Sequence, residues 1–404
     1  MATQFQSPEH WMLGDAVTLK FPSGSAPGES TPLSRTGQPD DPYPLYYGQA
    51  LALAGDFYAV LGQSIMGSQK NFAACFATLA NAAPQELDGI LAIMNDEARL
   101  MLTESRAGRD PSIKWEEKAK QFLVRYNAAT GGSGTDYMPM GRMLKLAAEN
   151  FDHFGLEAQQ AYVAGHRLAC AKAAQAAQVA DPTAQEALLQ QAYLMNAFAD
   201  HFLTDLFASG HLRVPRRELA ALTLDLPRAT SLLSGVFGYP VTPKEAGPMV
   251  GNLLANCMHE EDGKSGLRVR STDGSASWTA YGDSHLLDPK NSEGYAMAKE
   301  AVIASAQEVW THGFAAPVSG SGSQDPPCRG LALSPDLSRI RTGEDQNPDA
   351  LFVYDADLGV GVRKVLSDRT SHKWVFGGQW SAVSTLLQLK SGLTWDWLVY
   401  SWLS

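Results

Sequence analysis

The sequence predicts a mainly α fold, a multi-helix bundle with a small β-rich C-terminal part, and three observations carry that expectation. Apolar residues recur at helical spacing through the body of the chain. Two long Ala-rich runs, 156–179 and 182–209, suit close helix-on-helix packing. Past a Ser/Gly/Pro stretch at 316–327 the pattern changes to period-two alternation rich in Trp, Tyr and Val. The expected organisation is a helical unit over 1–315, a linker over 316–329 and a β-rich region over 330–404.

In chain order, residues 1–45 are rich in Pro, Gly, Ser and Asp and are expected to form an irregular lead-in draped on the core. His10 and Asp15, five apart, lie within it. A helix is expected over 45–66, with Asp56 a lone acid among small apolar residues, where it needs a cap, an ion-pair partner or a metal. Amphipathic helices follow at 70–105 and 112–126, then a Gly-rich loop at 131–134 and a helix at about 138–149. A polar break at 149–155 holds His153 between aromatics. The two Ala-rich helices come next, and His166, deep in the first, reads as packing. A helix at 248–258 leads into His259-Glu260-Glu261-Asp262, residues 266–283 read as a hairpin, and 291–313 as one more helix. Strands are expected at 350–354, 373–376, 381–389 and 394–402.

The chemistry-bearing stretch ends the second long helix. His201 and Asp205, four apart, share one helix face. His211 follows six residues later, past Gly210, a residue suited to ending a helix. Imidazoles and a carboxylate on a rigid element near solvent form a zinc ligand set. Five of the nine histidines, His153, His166, His201, His211 and His259, fall between 153 and 259, which makes isolated structural roles hard to sustain for all of them. Arg213, Arg216 and Arg217 are either a solvated basic patch or a clamp for a phosphate beside the metals. Spacing alone leaves open which of Glu260, Glu261 and Asp262 would coordinate together with His259. The four cysteines form no CxxC pair, so a cysteine-based zinc knuckle is not expected.

The run Ala-Asp-His-Phe-Leu-Thr-Asp at 199–205, with His201-x3-Asp205-x5-His211 and the arginines after it, resembles the zinc-dependent phospholipase C and single-strand nuclease superfamily. The likeness is greatest to the divergent branch of bacterial phospholipases C of pseudomonads and legionellae, and it covers roughly residues 5–290. His153-Phe154, 48 residues before His201, matches the family's upstream His-Phe pair, and Asp56 its helical aspartate. His259 with Glu261 or Asp262 matches its downstream histidine and acid, with Asp262 carried as the candidate. The family's third zinc is held partly by an N-terminal Trp; this chain has Met1, and His10 with Asp15 is the candidate substitute. The resemblance thus implies metal ligation by His10, Asp15, Asp56, His153, His201, Asp205, His211, His259 and Asp262, for two or three zinc ions.

The activity implied is hydrolysis of the glycerol–phosphate bond of a phosphatidylcholine-like glycerophospholipid, by metal-activated water attacking phosphorus. Asp56 is the candidate base and Arg213 the candidate neutraliser of phosphate charge, with Arg216 and Arg217 as substrate-binding candidates. A phosphodiesterase or single-strand nuclease is the alternative, and a non-catalytic metal-binding helical protein the third reading. The net charge of −11 argues against a large nucleic-acid interface. A phospholipid at a membrane surface is the expected partner, with no transmembrane segment and no specific protein partner. Secretion is the expected localisation, although residues 1–15 lack a cationic-then-apolar signal pattern, so the export route is open.

Overall fold

A computed structural model describes residues 6–221, 226–237, 240–282, 284–316, 325–341, 352–355, 359–363 and 372–374. It is mainly helical. The helices in order are α1 (Ser7–Asp15), α2 (Tyr47–Leu53), α3 (Gln69–Ala80), α4 (Pro84–Arg106), α5 (Pro111–Ala129), α6 (Arg142–Ala147), α7 (Gly155–Ala176) and α8 (Pro182–Asp205). They continue with α9 (Ser209–Leu212), α10 (Arg216–Ala220), α11 (Leu226–Phe237), α12 (Pro243–Ser265), α13 (Ser292–Glu308), α14 (Arg329–Leu333) and α15 (Leu337–Arg341). Three small antiparallel sheets accompany them: β1 (Thr18–Phe21) with β2 (Gly24–Pro27), β3 (Leu267–Arg270) with β4 (Ser277–Ala280), and β5 (Phe352–Asp355), β6 (Gly359–Arg363), β7 (His372–Trp374).

α7 and α8 run against each other as the spine. Helix α8 starts on cues the sequence carries: Asp181 caps it by accepting from the Ala184 amide, and Pro182 follows at a position where its missing N–H costs nothing. Ala158, Ala161, Ala169 and Ala173 are buried on α7, and side chains this small let the helix axes approach closely. From Ala192 to Asp205 every side chain of α8 is buried, so its C-terminal half is covered on all sides by other helices. Phe198 receives the edges of Phe72 and Phe76 at 5.4 and 5.9 Å, fastening α3 to that spine. His166 of α7 sits between Asn196 (2.6 Å) and Glu308 (2.9 Å) with its ring stacked on Tyr162, a fully satisfied interior histidine.

Several expected elements differ. Residues 1–45 are not merely an irregular lead-in: α1 and the β1–β2 hairpin lie in it, and His10, Leu13, Val17 and Leu19 are buried. Helix α2 ends at Leu53, and Gly55 at φ +65° turns the chain, so Asp56 stands in a turn instead of a helix. Helix α8 stops at Asp205, before Gly210, which belongs to the separate turn α9. The helix expected at 138–149 shortens to α6, and the one expected at 248–258 lengthens to α12, which accommodates Pro248 inside it. Helix α13 runs on into a π-helical turn, Val309–Phe314, whose Trp310 and Phe314 rings stack at 4.9 Å. Past the expected linker the chain is first helical, and α14 and α15 pack on the helical body, with Thr272 N donating to Ser334 O at 2.8 Å. The strands expected at 381–389 and 394–402, and most of the expected linker, lie outside the described residues. No helix among the described residues is long and apolar enough to cross a membrane.

One buried acid outside the histidine-rich region makes the fold pH-sensitive. Glu97 of α4 accepts from Trp115 Nε1 (3.0 Å) and from the Tyr126 hydroxyl. Burial pushes its carboxyl up to about 7, against the pull of Tyr126, Trp115 and Arg125. Because the folded value exceeds the unfolded one, this group's contribution, about 3 kcal/mol, is fully present below about pH 4.5 and is lost as pH rises through about 7. Glu97→Gln should cost about 1–2 kcal/mol at acidic pH, by turning one amide N–H towards a donor, yet remove most of that slope. Urea midpoints across the range test it; an unchanged slope in the variant would assign it elsewhere.

Candidate metal centre

Asp205, the last residue of α8, is the hub of a buried cluster. Its Oδ2 lies 2.9 Å from His153 Nδ1 and 3.8 Å from His201 Nε2. Its Oδ1 lies 3.2 Å from His211 Nδ1 and 3.6 Å from His10 Nε2. Asp56 Oδ2 stands 4.0 Å from His201 Nε2. Two triads, His10–His201–Asp205 and Asp56–His153–His201, therefore have all their donor atoms within 4.8 Å of one another. The cluster continues to His259 of α12, whose ring centroid is 4.8 Å from that of His211. Phe154 packs its edge on both rings, keeping that flank dry.

Local structure orients these rings. His201 and Asp205 meet because they are four apart on α8. The Leu51 carbonyl can only accept, so His201 Nδ1 donates to it at 3.0 Å and leaves a lone pair on Nε2 facing Asp56 and Asp205. Thr204 performs the same service for His10. Its hydroxyl donates to the carbonyls of Asp200 (2.9 Å) and His201 (2.8 Å), so its oxygen accepts from His10 Nδ1 at 2.7 Å, and His10 Nε2 presents its lone pair to Asp205. Partners of this kind fix the tautomer of metal-bound histidines. Sequence reasoning missed Thr204 and Leu51; the only available signal was a hydroxyl residue next to Asp205 on the same helix.

The electrostatics fit a cation. Burial pushes the Asp205 carboxyl up, but His153, His201 and His211 outweigh it and hold it well below the usual range. Burial, with His10 beside it, keeps His201 well below the ordinary imidazole value. Asp56 is pushed up to about 7, first by burial and then by Asp205, against the pull of His153. Both oxygens of Asp205 and both ring nitrogens of His211 are buried, and the oxygens meet only the crowded imidazoles around them, without hydrogen bonds of good geometry. Such groups cost several kcal/mol unless an ion completes them. This donor set, imidazole nitrogens and carboxylate oxygens converging on two points, can hold metal ions.

Not every expected ligand is brought in. Asp15 is corrected: five residues along α1 is about 140° of rotation, and its carboxylate lies against Gly48 of α2 instead of beside His10. Asp262 is corrected too. Its two oxygens accept from Arg213 Nε (2.7 Å) and Nη2 (2.6 Å), so the structure does not turn it towards His259. Arg213 is buried in that bidentate pair and is no phosphate clamp; it anchors α12, the helix that carries His259. Arg216 is likewise buried, bonded to Asn150 and to the Ala147 carbonyl, and so is not a substrate-binding group. Arg217 alone of the three reaches a cavity wall, paired with Glu157 and lying over the Phe151 ring at 4.6 Å. That cavity, of about 340 Å³, is lined by Gly55, Val60, Leu61, Asp152, His153 and Phe202, among others, and meets the cluster at His153.

Two glycines permit the geometry. A Cβ on Gly55 would stand 2.6 Å from His153 Cε1 and 2.9 Å from His201 Cδ2, and one on Gly210 would stand 2.6 Å from His259 Cδ2. Gly55→Ala adds to this crowding the strain of φ +65°. It should cost about 2 kcal/mol of stability and weaken metal binding by about 10–100-fold, read by chemical denaturation and by titration against a competing chelator. Wild-type metal affinity in that variant would show that the turn does not set the ring positions.

No family model, curated protein or solved structure matches this chain. The chemistry of the cluster rests on its own geometry.

Proposed function

We propose that this chain is a zinc-dependent phospholipase C, cleaving the glycerol–phosphate bond of a phosphatidylcholine-like lipid to diacylglycerol and a phosphorylated head group. One observation carries the reading. The two oxygens of Asp205 divide between two sets of imidazoles, His153 and His201 on one side, His10 and His211 on the other, a donor set that would hold cations on both sides of the carboxylate. Zinc held at these donors would lower the pKa of water towards neutrality and offset charge on the phosphate oxygens.

The chain's own groups do the rest. His153 lines the cavity, with Gly55 beside Asp56, so a phosphodiester enters on that side of the cluster. Asp56 Oδ2, 4.0 Å from His201 Nε2, takes the proton of the attacking water. Arg217 faces the phosphate from the cavity wall, while Val60, Leu61, Ile65 and Phe202 exclude water beside it. The acidic net charge of −11 favours a lipid over a long polyanion as substrate. An exported protein acting at a membrane surface fits this chemistry.

The purified, zinc-supplied chain is expected to release phosphocholine from phosphatidylcholine vesicles and to leave denatured DNA intact. Nucleotide release without phosphocholine would make it a nuclease. Stoichiometric zinc with neither product would make it a non-catalytic metal-binding protein.

A further inference from the structure

A second group of donors lies apart from the Asp205 cluster and shares no residue with it. Asp110 is the N-cap of α5, and its Oδ1 accepts from the Ser112 amide at 2.9 Å. Asp288 holds the short turn Pro289–Asn291 by accepting from the Lys290 amide at 3.0 Å through Oδ1. Between the two carboxylates stands His285, whose side chain is 8% exposed. Its Nδ1 is 3.9 Å from Asp110 Oδ1 and 3.5 Å from Asp288 Oδ2, and neither contact makes a hydrogen bond of good geometry. One donor atom from each residue lies within 4.8 Å of the others.

We propose that Asp110, His285 and Asp288 bind one divalent transition ion of the zinc class, at a structural site separate from the Asp205 cluster. The spacing suits it. Ligands about 2.0–2.1 Å from a tetrahedral ion are about 3.3 Å from one another, so the 3.5 and 3.9 Å edges would close by about 0.2 and 0.6 Å, and the two carboxylates, whose donor atoms lie within 4.8 Å, would draw together around the ion. The donor set selects the class, because an imidazole nitrogen with two carboxylates favours zinc-like ions over calcium or magnesium, which take all-oxygen shells. A buried imidazole nitrogen between two carboxylates makes only long contacts to them, and coordination would satisfy all three groups at once. Asp288 Oδ2 also has the Lys290 ammonium 3.4 Å away, poised over the Tyr281 ring at 4.7 Å. That side chain is exposed enough to swing out when an ion takes its place.

The site's position indicates its purpose. The 284–288 segment is already tied to α1, because the Glu9 carboxylate accepts from the Ser284 (2.9 Å) and Leu286 (2.8 Å) amides, and Glu9 adjoins His10. Ser105 at the end of α4 donates to the Leu287 carbonyl at 3.3 Å. An ion here closes the α4–α5 connection onto the loop that braces α1 from behind. It is a clamp, remote from the cavity.

Equilibrium dialysis of the full chain against low-micromolar zinc, with metal counted by mass spectrometry, tests the assignment independently of any lipase activity. His285→Gln and Asp288→Asn should each hold one zinc equivalent fewer than wild type, and each should lose part of the zinc-induced rise in melting temperature. Asp205→Asn should lose its metal from the other cluster and keep this equivalent. Asn at 288 retains the Oδ1 that caps the Lys290 amide, so this variant carries the test should His285→Gln fail to fold. Equal zinc in wild type and Asp288→Asn would overturn the site.

Discussion

Asp205→Asn is expected to retain less than half of the zinc of the wild-type chain and to hydrolyse phosphatidylcholine at least about 10³-fold more slowly. Size barely changes, so the effect isolates charge and lone pairs. The amide offers one acceptor oxygen where the carboxylate offers two, and its NH2 would face the lone pairs that Thr204 and Leu51 have turned inward on His10 and His201. Because Asp205 faces imidazoles on both sides, its loss should weaken every cation position of the cluster, and metal content should fall by more than one equivalent. Metal analysis and vesicle hydrolysis on the same preparation read both effects. Full zinc with full rate would remove Asp205 from the centre and take the proposed function with it.

Stripping metal from the wild-type chain at neutral pH should lower its melting temperature by about 5–10 °C, and zinc should restore it. The donors come from α1, the turn after α2, the turn before α7, then α8, α9 and α12, so ions at the cluster join segments otherwise linked only by packing. An ion present at about 100 times its dissociation constant stabilises by about 2.7 kcal/mol, and two such ions by about 5 kcal/mol. For a chain of this length each kcal/mol moves the midpoint by roughly 1–2 °C. Differential scanning with and without chelator measures it, and the shift should shrink in Asp205→Asn. A midpoint indifferent to chelator in both proteins would mean that the cluster holds no ion tightly.

The helical body was legible because periodicity and capping are local signals: Asp181-Pro182 opens α8 and Asp110-Pro111 opens α5 where the residue types demand. The His201–Asp205 pair was legible for the same reason, since four residues make about one turn. The errors came where local pattern competes with packing. The Pro- and Gly-rich start of the chain gave no sign that α1 would be buried with His10 against α8. The apolar run around Asp56 looked helical throughout, yet the φ +65° turn at Gly55 ends it and makes room for the His153 ring.

By itself, then, the chain determined a mainly helical protein, its long helices, and most of the imidazoles and carboxylates that form the cluster, because spacing along a helix is fixed by backbone geometry. Tertiary structure alone decided which charged groups are free to act. Arg213 and Asp262, read separately as clamp and ligand, neutralise each other in the interior, whereas Thr204, marked only as a hydroxyl beside Asp205, and the unmarked Leu51 carbonyl orient two rings. A buried charge takes the nearest opposite charge and a buried donor the nearest acceptor. Those neighbours are set by how the helices pack.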